Sequence, residues 1–119
     1  MARPTRGSAD VLTLDPRAPD GAALDRAARV LREGGLVAFP TETVYGLGAN
    51  ADDPVAIERL MRVKRRPEGK SFTLLLADAR QVPLHVASVP WRASRLMGRY
   101  WPGPLTIVVP GKREPTVGL

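Results

Sequence analysis

Gly34-Gly35-Leu36-Val37-Ala38-Phe39-Pro40-Thr41-Glu42-Thr43-Val44-Tyr45-Gly46-Leu47-Gly48 holds the sharpest change of pattern in the chain. Two glycines end whatever helix precedes them, because glycine enters the left-handed backbone region without a steric penalty. Leu36 to Phe39 is then a continuous apolar run stopped by Pro40, the pattern of a buried strand. Residues 41–51 carry Gly46, Gly48 and Asn50 and read as a loop. A loop that leaves a buried strand of an α/β sheet is a common place for ligands.

On the N-terminal side, Asp20 suits a helix cap, and Leu24, Ala27, Ala28 and Leu31 fall on one helical face. Residues 1–19 are rich in Arg, Pro, Ala and Asp and read as a loose tail. Within them Val11, Leu12 and Leu14 suit a short edge strand that Pro16 ends. On the C-terminal side, Asp53-Pro54 is a cap followed by a first-turn proline. The helix it opens puts Ile57, Leu60 and Met61 on one side and Glu58, Arg59 and Arg62 on the other, and ends before Pro67. Residues 72–77 read as a second buried strand. A third helix is predicted over 89–100, with Ala93, Leu96, Met97 and Tyr100 inward. Trp101-Pro102-Gly103-Pro104 makes a rigid turn, and residues 105–109 a further strand. Strands alternating with helices predict an α/β layered sheet.

Bulk properties narrow the function. A chain of 119 residues suffices for one domain. The excess of 18 Lys and Arg over 12 Asp and Glu gives a net charge of +6, which favours polyanions such as nucleotides or RNA, although a merely basic soluble protein has the same count. With no Cys, disulfides, thiolate zinc sites and a Cys nucleophile are excluded. One His, His85, makes no metal site alone; it reads as packing between Leu84 and Val86. No apolar run reaches the ~20 residues of a membrane span, and residues 1–10 lack the apolar core of a secretory signal, so a cytoplasmic protein is expected.

Two stretches carry residues suited to chemistry. Thr41 and Thr43 offer hydroxyls that donate and accept; in an extended segment both face one way and Glu42 the other. Gly46 and Gly48 allow close approaches that a Cβ would block. An ordinary strand-to-helix loop has the same ingredients, and no Gly-Lys-Ser/Thr follows to make a phosphate-cradling P-loop. In Lys64-Arg65-Arg66-Pro67-Glu68-Gly69-Lys70, Pro67 disfavours helical geometry at Arg66. If the segment is extended, Lys64 and Arg66 share one face. Arg grips phosphate oxygens as a fork and Lys acts as a point charge, so an oligophosphate fits them, with Lys70 adding a third contact. A solvated basic loop reads the same way. Trp101 suits core packing, Thr106 a structural place in its strand, and Tyr45 either a structural or a substrate contact. No Ser-His-Asp set or carboxylate pair marks a hydrolytic site.

Taken in order, these stretches resemble a known family. Gly34 to Gly48 resembles the opening motif of the Sua5/YciO/YrdC family. Lys64-Arg65-Arg66-Pro67 with Lys70 resembles its next motif, and Tyr100-Trp101-Pro102-Gly103-Pro104-Leu105-Thr106 its third. The likeness covers residues 20–119, read as a partial YrdC-like domain. It implies an open, twisted, mixed α/β sheet with helices packed on it, of the YrdC/RibB-like kind, with a basic concave face. It implies a nucleotidyltransferase that makes L-threonylcarbamoyladenylate and pyrophosphate from L-threonine, bicarbonate and ATP with Mg2+, for the t6A modification of tRNA. Carried over, Thr41 and Thr43 hold threonine; Lys64, Arg66, Lys70 and Thr116 bind ATP; Lys64 and Arg66 serve catalysis; no protein metal site is expected. The t6A transferase machinery would be a partner, and no membrane.

The chain departs from the family in two ways. It lacks a His that some members place near Leu75. The family also continues past the equivalent of Leu119 with an Arg-containing strand and a Ser-Ala-Asn motif, which complete the threonine and ATP pockets, so the domain is expected to be C-terminally incomplete. The alternative is a module that binds double-stranded RNA or tRNA without catalysis. The carbamoyl-transfer domain of hydrogenase maturation proteins shares the fold, but carries an acylphosphatase region and zinc-binding cysteines upstream, which this chain does not match.

Overall fold

The computed structural model describes residues 8–67 and 69–112. Helix α1 spans Gly21–Arg32. The Asp20 side chain caps it by accepting from the Ala22 amide at 3.1 Å, and Arg29 and Arg32 in the last turn suit the negative end of its dipole. The helix ends in a Schellman motif: Gly34 takes φ +79°, its N–H donates to Leu31 at 3.1 Å, and the Gly35 N–H donates to Val30 at 2.8 Å.

The chain then forms a hairpin. Strand β1, Val37–Phe39, pairs antiparallel with β2, Gly46–Gly48, with Val37 opposite Gly48 and Phe39 opposite Gly46. Residues 46–48, expected within a loop, are thus a strand. The two glycines are there for Phe39. A Cβ on Gly46 would sit 3.1 Å from the Phe39 ring, and one on Gly48 2.9 Å from it. The ring therefore lies flat on the backbone of the neighbouring strand, a placement that any side chain there would prevent.

Helix α2, Pro54–Lys64, starts where Asp53 accepts from the Val55 and Ala56 amides at 3.0 and 3.2 Å. It buries Ala56 and Leu60. The C-terminal half holds a 3-10 turn, Ala79–Gln81, and two helices, α3, Val82–His85, and α4, Trp91–Tyr100. The first two were not anticipated: Pro83 hides a one-turn helix because it sits in its first turn, where proline is tolerated. Val82, Val86, Ala93 and Met97 form a small buried cluster ringed by Leu76, Val89, Trp101, Ile107 and Val109. Ala93 and Met97 face inward as expected. Leu96 and Tyr100 remain 42% and 49% exposed.

The α/β class holds, with one qualification about pairing. Among the described residues the sheet proper is the two-stranded β1–β2 ladder. Residues 72–77 and 105–109 alternate half-buried and exposed like strands, with Leu76, Ile107 and Val109 on the cluster, yet among the described residues neither segment has a ladder partner. Residues 11–14 also form no strand, and Val11 is 85% exposed. The radius of gyration, 16.0 Å, exceeds the roughly 13.5 Å of a compact chain of this length.

The Phe39 contact yields a prediction. Gly48→Ala drives a methyl group into the ring and should destabilise the fold by about 1–3 kcal/mol, read as a lower urea midpoint. An unchanged midpoint would remove the packing explanation for the two glycines.

Candidate functional site: a threonine turn and a cationic loop

The β1–β2 connection carries Thr41 and Thr43 at its tip. The segment is a bend rather than an extended run, but the two hydroxyls still meet, with their oxygens 3.4 Å apart. Thr41 Oγ1 accepts from the Thr43 amide at 3.3 Å and donates to the Val44 carbonyl. This is a side-chain-closed turn of the kind that threonine favours. Both residues are exposed, as are Glu42 and Tyr45. Thr43 Oγ1 keeps hydrogen-bonding capacity toward solvent, because Thr41 is its one side-chain partner among the described residues.

The cationic loop departs from the extended reading. Lys64 is the last helical residue of α2, and Arg65 is left-handed at φ 49°. Arg65 and Arg66 donate to the Arg62 and Met61 carbonyls at 3.2 and 3.0 Å, the same Schellman geometry that ends α1. Pro67 does exclude Arg66 from the helix, but its influence reaches only one residue back, and the helix continues through Lys64. Arg66 folds over the loop that follows. Its guanidinium donates to the Lys70 carbonyl at 3.4 Å and the Ser71 carbonyl at 2.5 Å, and it lies 4.7 Å from the centre of the Phe72 ring. Arg66 is therefore a clamp across residues 66–72, with part of its fork already engaged. Lys64 and Lys70 are exposed and hold no ion pair among the described residues.

No hydrogen bond, ion pair or ring contact among the described residues joins the threonine turn to the cationic loop. What relates them is the framework between them. Asp53, the α2 cap, packs against Gly34, where a Cβ would lie 2.9 Å from its Oδ2, and Arg59 donates to the Gly34 carbonyl. Thr116 lies outside the described residues. Trp101 is half-buried, and its indole N–H donates to the Leu105 carbonyl at 2.7 Å. His85 closes α3, half-buried. Thr106 is exposed. The clamp made by Arg66 was not foreseen from sequence; the Gly69 turn beside it, at φ +82°, was the available signal. Away from both segments, Arg80 holds the Asp78 carboxyl below its usual range through a side-chain hydrogen bond at the 3-10 turn.

The chain is similar to known proteins. The Sua5/YciO/YrdC family model, described as telomere recombination, matches residues 29–118. Threonylcarbamoyl-AMP synthase of Pyrococcus abyssi is 49% identical over 84 residues, which are 71% of this chain and 25% of that protein. The Chromobacterium violaceum protein of the same name is 38% identical over 99 residues, 83% of this chain and 51% of that one. A solved structure of P. abyssi Sua5 complexed with L-threonine superposes with a TM-score of 0.78 and 41% identity, covering 85% of this chain and 31% of that chain. The chain thus spans about a quarter to a half of the curated relatives it matches.

Arg65 supplies a test of the loop. A non-glycine residue in the left-handed region costs about 1 kcal/mol or more. Arg65→Gly should raise stability by about that amount in chemical denaturation. A loss of stability would mean that the Arg65 side chain, and not its backbone, secures the turn.

Proposed function

The chain belongs to the Sua5/YciO/YrdC family, and from that premise we propose that it is the threonine- and nucleotide-holding part of an L-threonylcarbamoyladenylate synthase. In this reading L-threonine, bicarbonate and ATP give threonylcarbamoyl-AMP and pyrophosphate, and the product goes to the t6A machinery that modifies tRNA in the cytoplasm. The observation that carries the reading is the pair of threonine hydroxyls at the hairpin tip, in a chain that superposes on a relative complexed with L-threonine.

The residue types suit the chemistry. Threonine's amine and CO2 form a carbamate, whose oxygen attacks the α-phosphorus while pyrophosphate departs. No covalent nucleophile is required. The protein must hold two anions side by side and offset the charge that builds on the leaving group. Thr43, with Thr41 fixing its turn, would orient threonine through hydroxyl hydrogen bonds. Lys64 and Lys70 would face the phosphates as point charges, and Thr116 would touch the nucleotide. Arg66 would add its remaining N–H groups while keeping the loop closed, so its replacement should disturb both binding and loop shape. The described residues gather no group of three His, Asp or Glu able to hold a metal. They do not fit a dedicated Mg2+ site, and no step is assigned to that ion.

A second reading has its own support. Helix α4 contains no acidic residue. Arg92 and Arg95 lie 5.3 and 5.8 Å from the ring centre of Trp91, itself 63% exposed, and Arg99 lies 5.6 Å from that of Tyr100. Cations interleaved with aromatic faces suit phosphate and base stacking, so this stripe favours a tRNA- or double-stranded-RNA-binding role that needs no catalysis.

Two measurements separate the readings. Threonine- and bicarbonate-dependent exchange of pyrophosphate into ATP should appear when this segment works within its complete domain, and Lys64→Ala should lower it by about 10²-fold. A folded domain without exchange defeats the enzyme reading. For the second reading, tRNA affinity should fall steeply with salt and weaken further in Arg95→Glu; salt-indifferent binding would count against it.

A further inference from the structure

Arg66 differs from the other arginines that lie over aromatic rings. Arg92, Arg95 and Arg99 are exposed, and their guanidinium carbons lie 5.3, 5.8 and 5.6 Å from the ring centres. Arg66 and Phe72 are both half-buried, and the distance between them is 4.7 Å. Contact between a cation and a ring strengthens as water is excluded from it. A turn brings Phe72 back to this place: Gly69 takes φ +82°, and the Lys70 amide donates to the Pro67 carbonyl at 3.4 Å.

The hydrogen bonds of Arg66 all leave from one edge. Nε donates to the Lys70 carbonyl and Nη2 to the Ser71 carbonyl, and these two parallel N–H bonds form one side of the guanidinium plane. A guanidinium has five N–H donors, so three remain. Two of them, one on Nη1 and one on Nη2, form the adjoining edge, which has no partner among the described residues. The two carbonyls limit rotation of the plane within itself, and the Phe72 ring limits its tilt. An exposed arginine must surrender its side-chain freedom when it binds an anion, whereas Arg66 has lost much of that freedom in folding.

We propose that Phe72 is a positioning residue for phosphate: it fixes the plane of Arg66 so that the Nη1–Nη2 edge meets two oxygens of one phosphoryl group of an oligophosphate. Two parallel N–H groups match two such oxygens, and a lysine cannot take this role because its ammonium has no plane to orient. Lys64 and Lys70 then add charge, while Arg66 supplies direction. The inference rests on the reading of this loop as a phosphate site. It needs neither threonine nor bicarbonate, so it is tested apart from the pyrophosphate exchange that tests the reaction.

The probe is inorganic triphosphate, titrated into the 119-residue chain by calorimetry and by 15N NMR of the arginine side chains. Triphosphate should move the Arg66 Nη signals and leave its Nε–H bonded to the Lys70 carbonyl. Phe72→Leu keeps apolar bulk but removes the ring, and should weaken binding by about 5-fold. Phe72→Tyr keeps the ring and should bind as the unchanged chain does. In an Arg66→Ala chain, Phe72→Leu should cost nothing further, because its effect runs through Arg66. Equal affinity of the Phe72→Leu and unchanged chains would overturn the inference. So would an equal loss in Phe72→Tyr, or a loss from Phe72→Leu that persists beside Arg66→Ala, since either would make the effect one of loop packing. Two results in the unchanged chain overturn it without any variant: displacement of the Nε–H bond by triphosphate, and absence of triphosphate binding. The second also removes the phosphate reading of the loop, whatever the exchange assay returns.

Discussion

Gly34 and Asp53 occupy the same few cubic ångströms, and much of the N-terminal half is arranged around that contact. Gly34 turns left-handed to end α1. The space its missing Cβ leaves is taken by Asp53 Oδ2, whose partner oxygen accepts the first amides of α2. Arg59, one turn further along α2, returns to the Gly34 carbonyl. One turn therefore sets the end of α1, the entry to β1 and the start of α2. A methyl group at position 34 would displace the cap, at a typical cost of about 1 kcal/mol for a lost cap, and would add left-handed strain. The threonine turn hangs from the far end of β1 and the cationic loop from the far end of α2, so this contact governs how they stand to each other.

The two helices end by the same device with different residues. α1 uses Gly34 at the left-handed position; α2 uses Arg65. The first choice is conformationally easy, whereas the second spends stability to keep a run of cations at the helix end. Arg66 then turns back on the loop and holds two of its carbonyls. The positive charge of this region is thus divided by task. An arginine fork shapes the loop, which planar, multiple-donor geometry does well, and two lysines remain outside as exposed point charges.

The C-terminal half is held from one side. Val82, Val86, Ala93 and Met97 make a cluster of modest volume, and no large side chain among the described residues is fully buried. Such a layer resists sliding only as far as its inner face is packed, because burial per residue is small in thin folds. On the outer face Leu75 and Val108 stay exposed.

Most helices were legible in the sequence because each signal lies within a few residues of what it specifies. Asp20 and Asp53 cap where they should, Gly34 and Gly35 stop α1, and Pro54 opens α2. The reading of Lys64 and Arg66 as neighbours on an extended segment missed because a proline constrains the residue before it, not the third one back. β2 was hidden because Gly46 and Gly48 look like loop residues until Phe39 is seen lying across them. Sequence alone determined the three longer helices, most of their ends and the extended character of residues 72–77 and 105–109, since these follow from local hydrogen bonds, capping and apolar runs. Only the tertiary structure decided which strand-like segments pair. A ladder needs a partner that is distant in the chain, and an apolar run in one segment does not say whether that partner lies beside it.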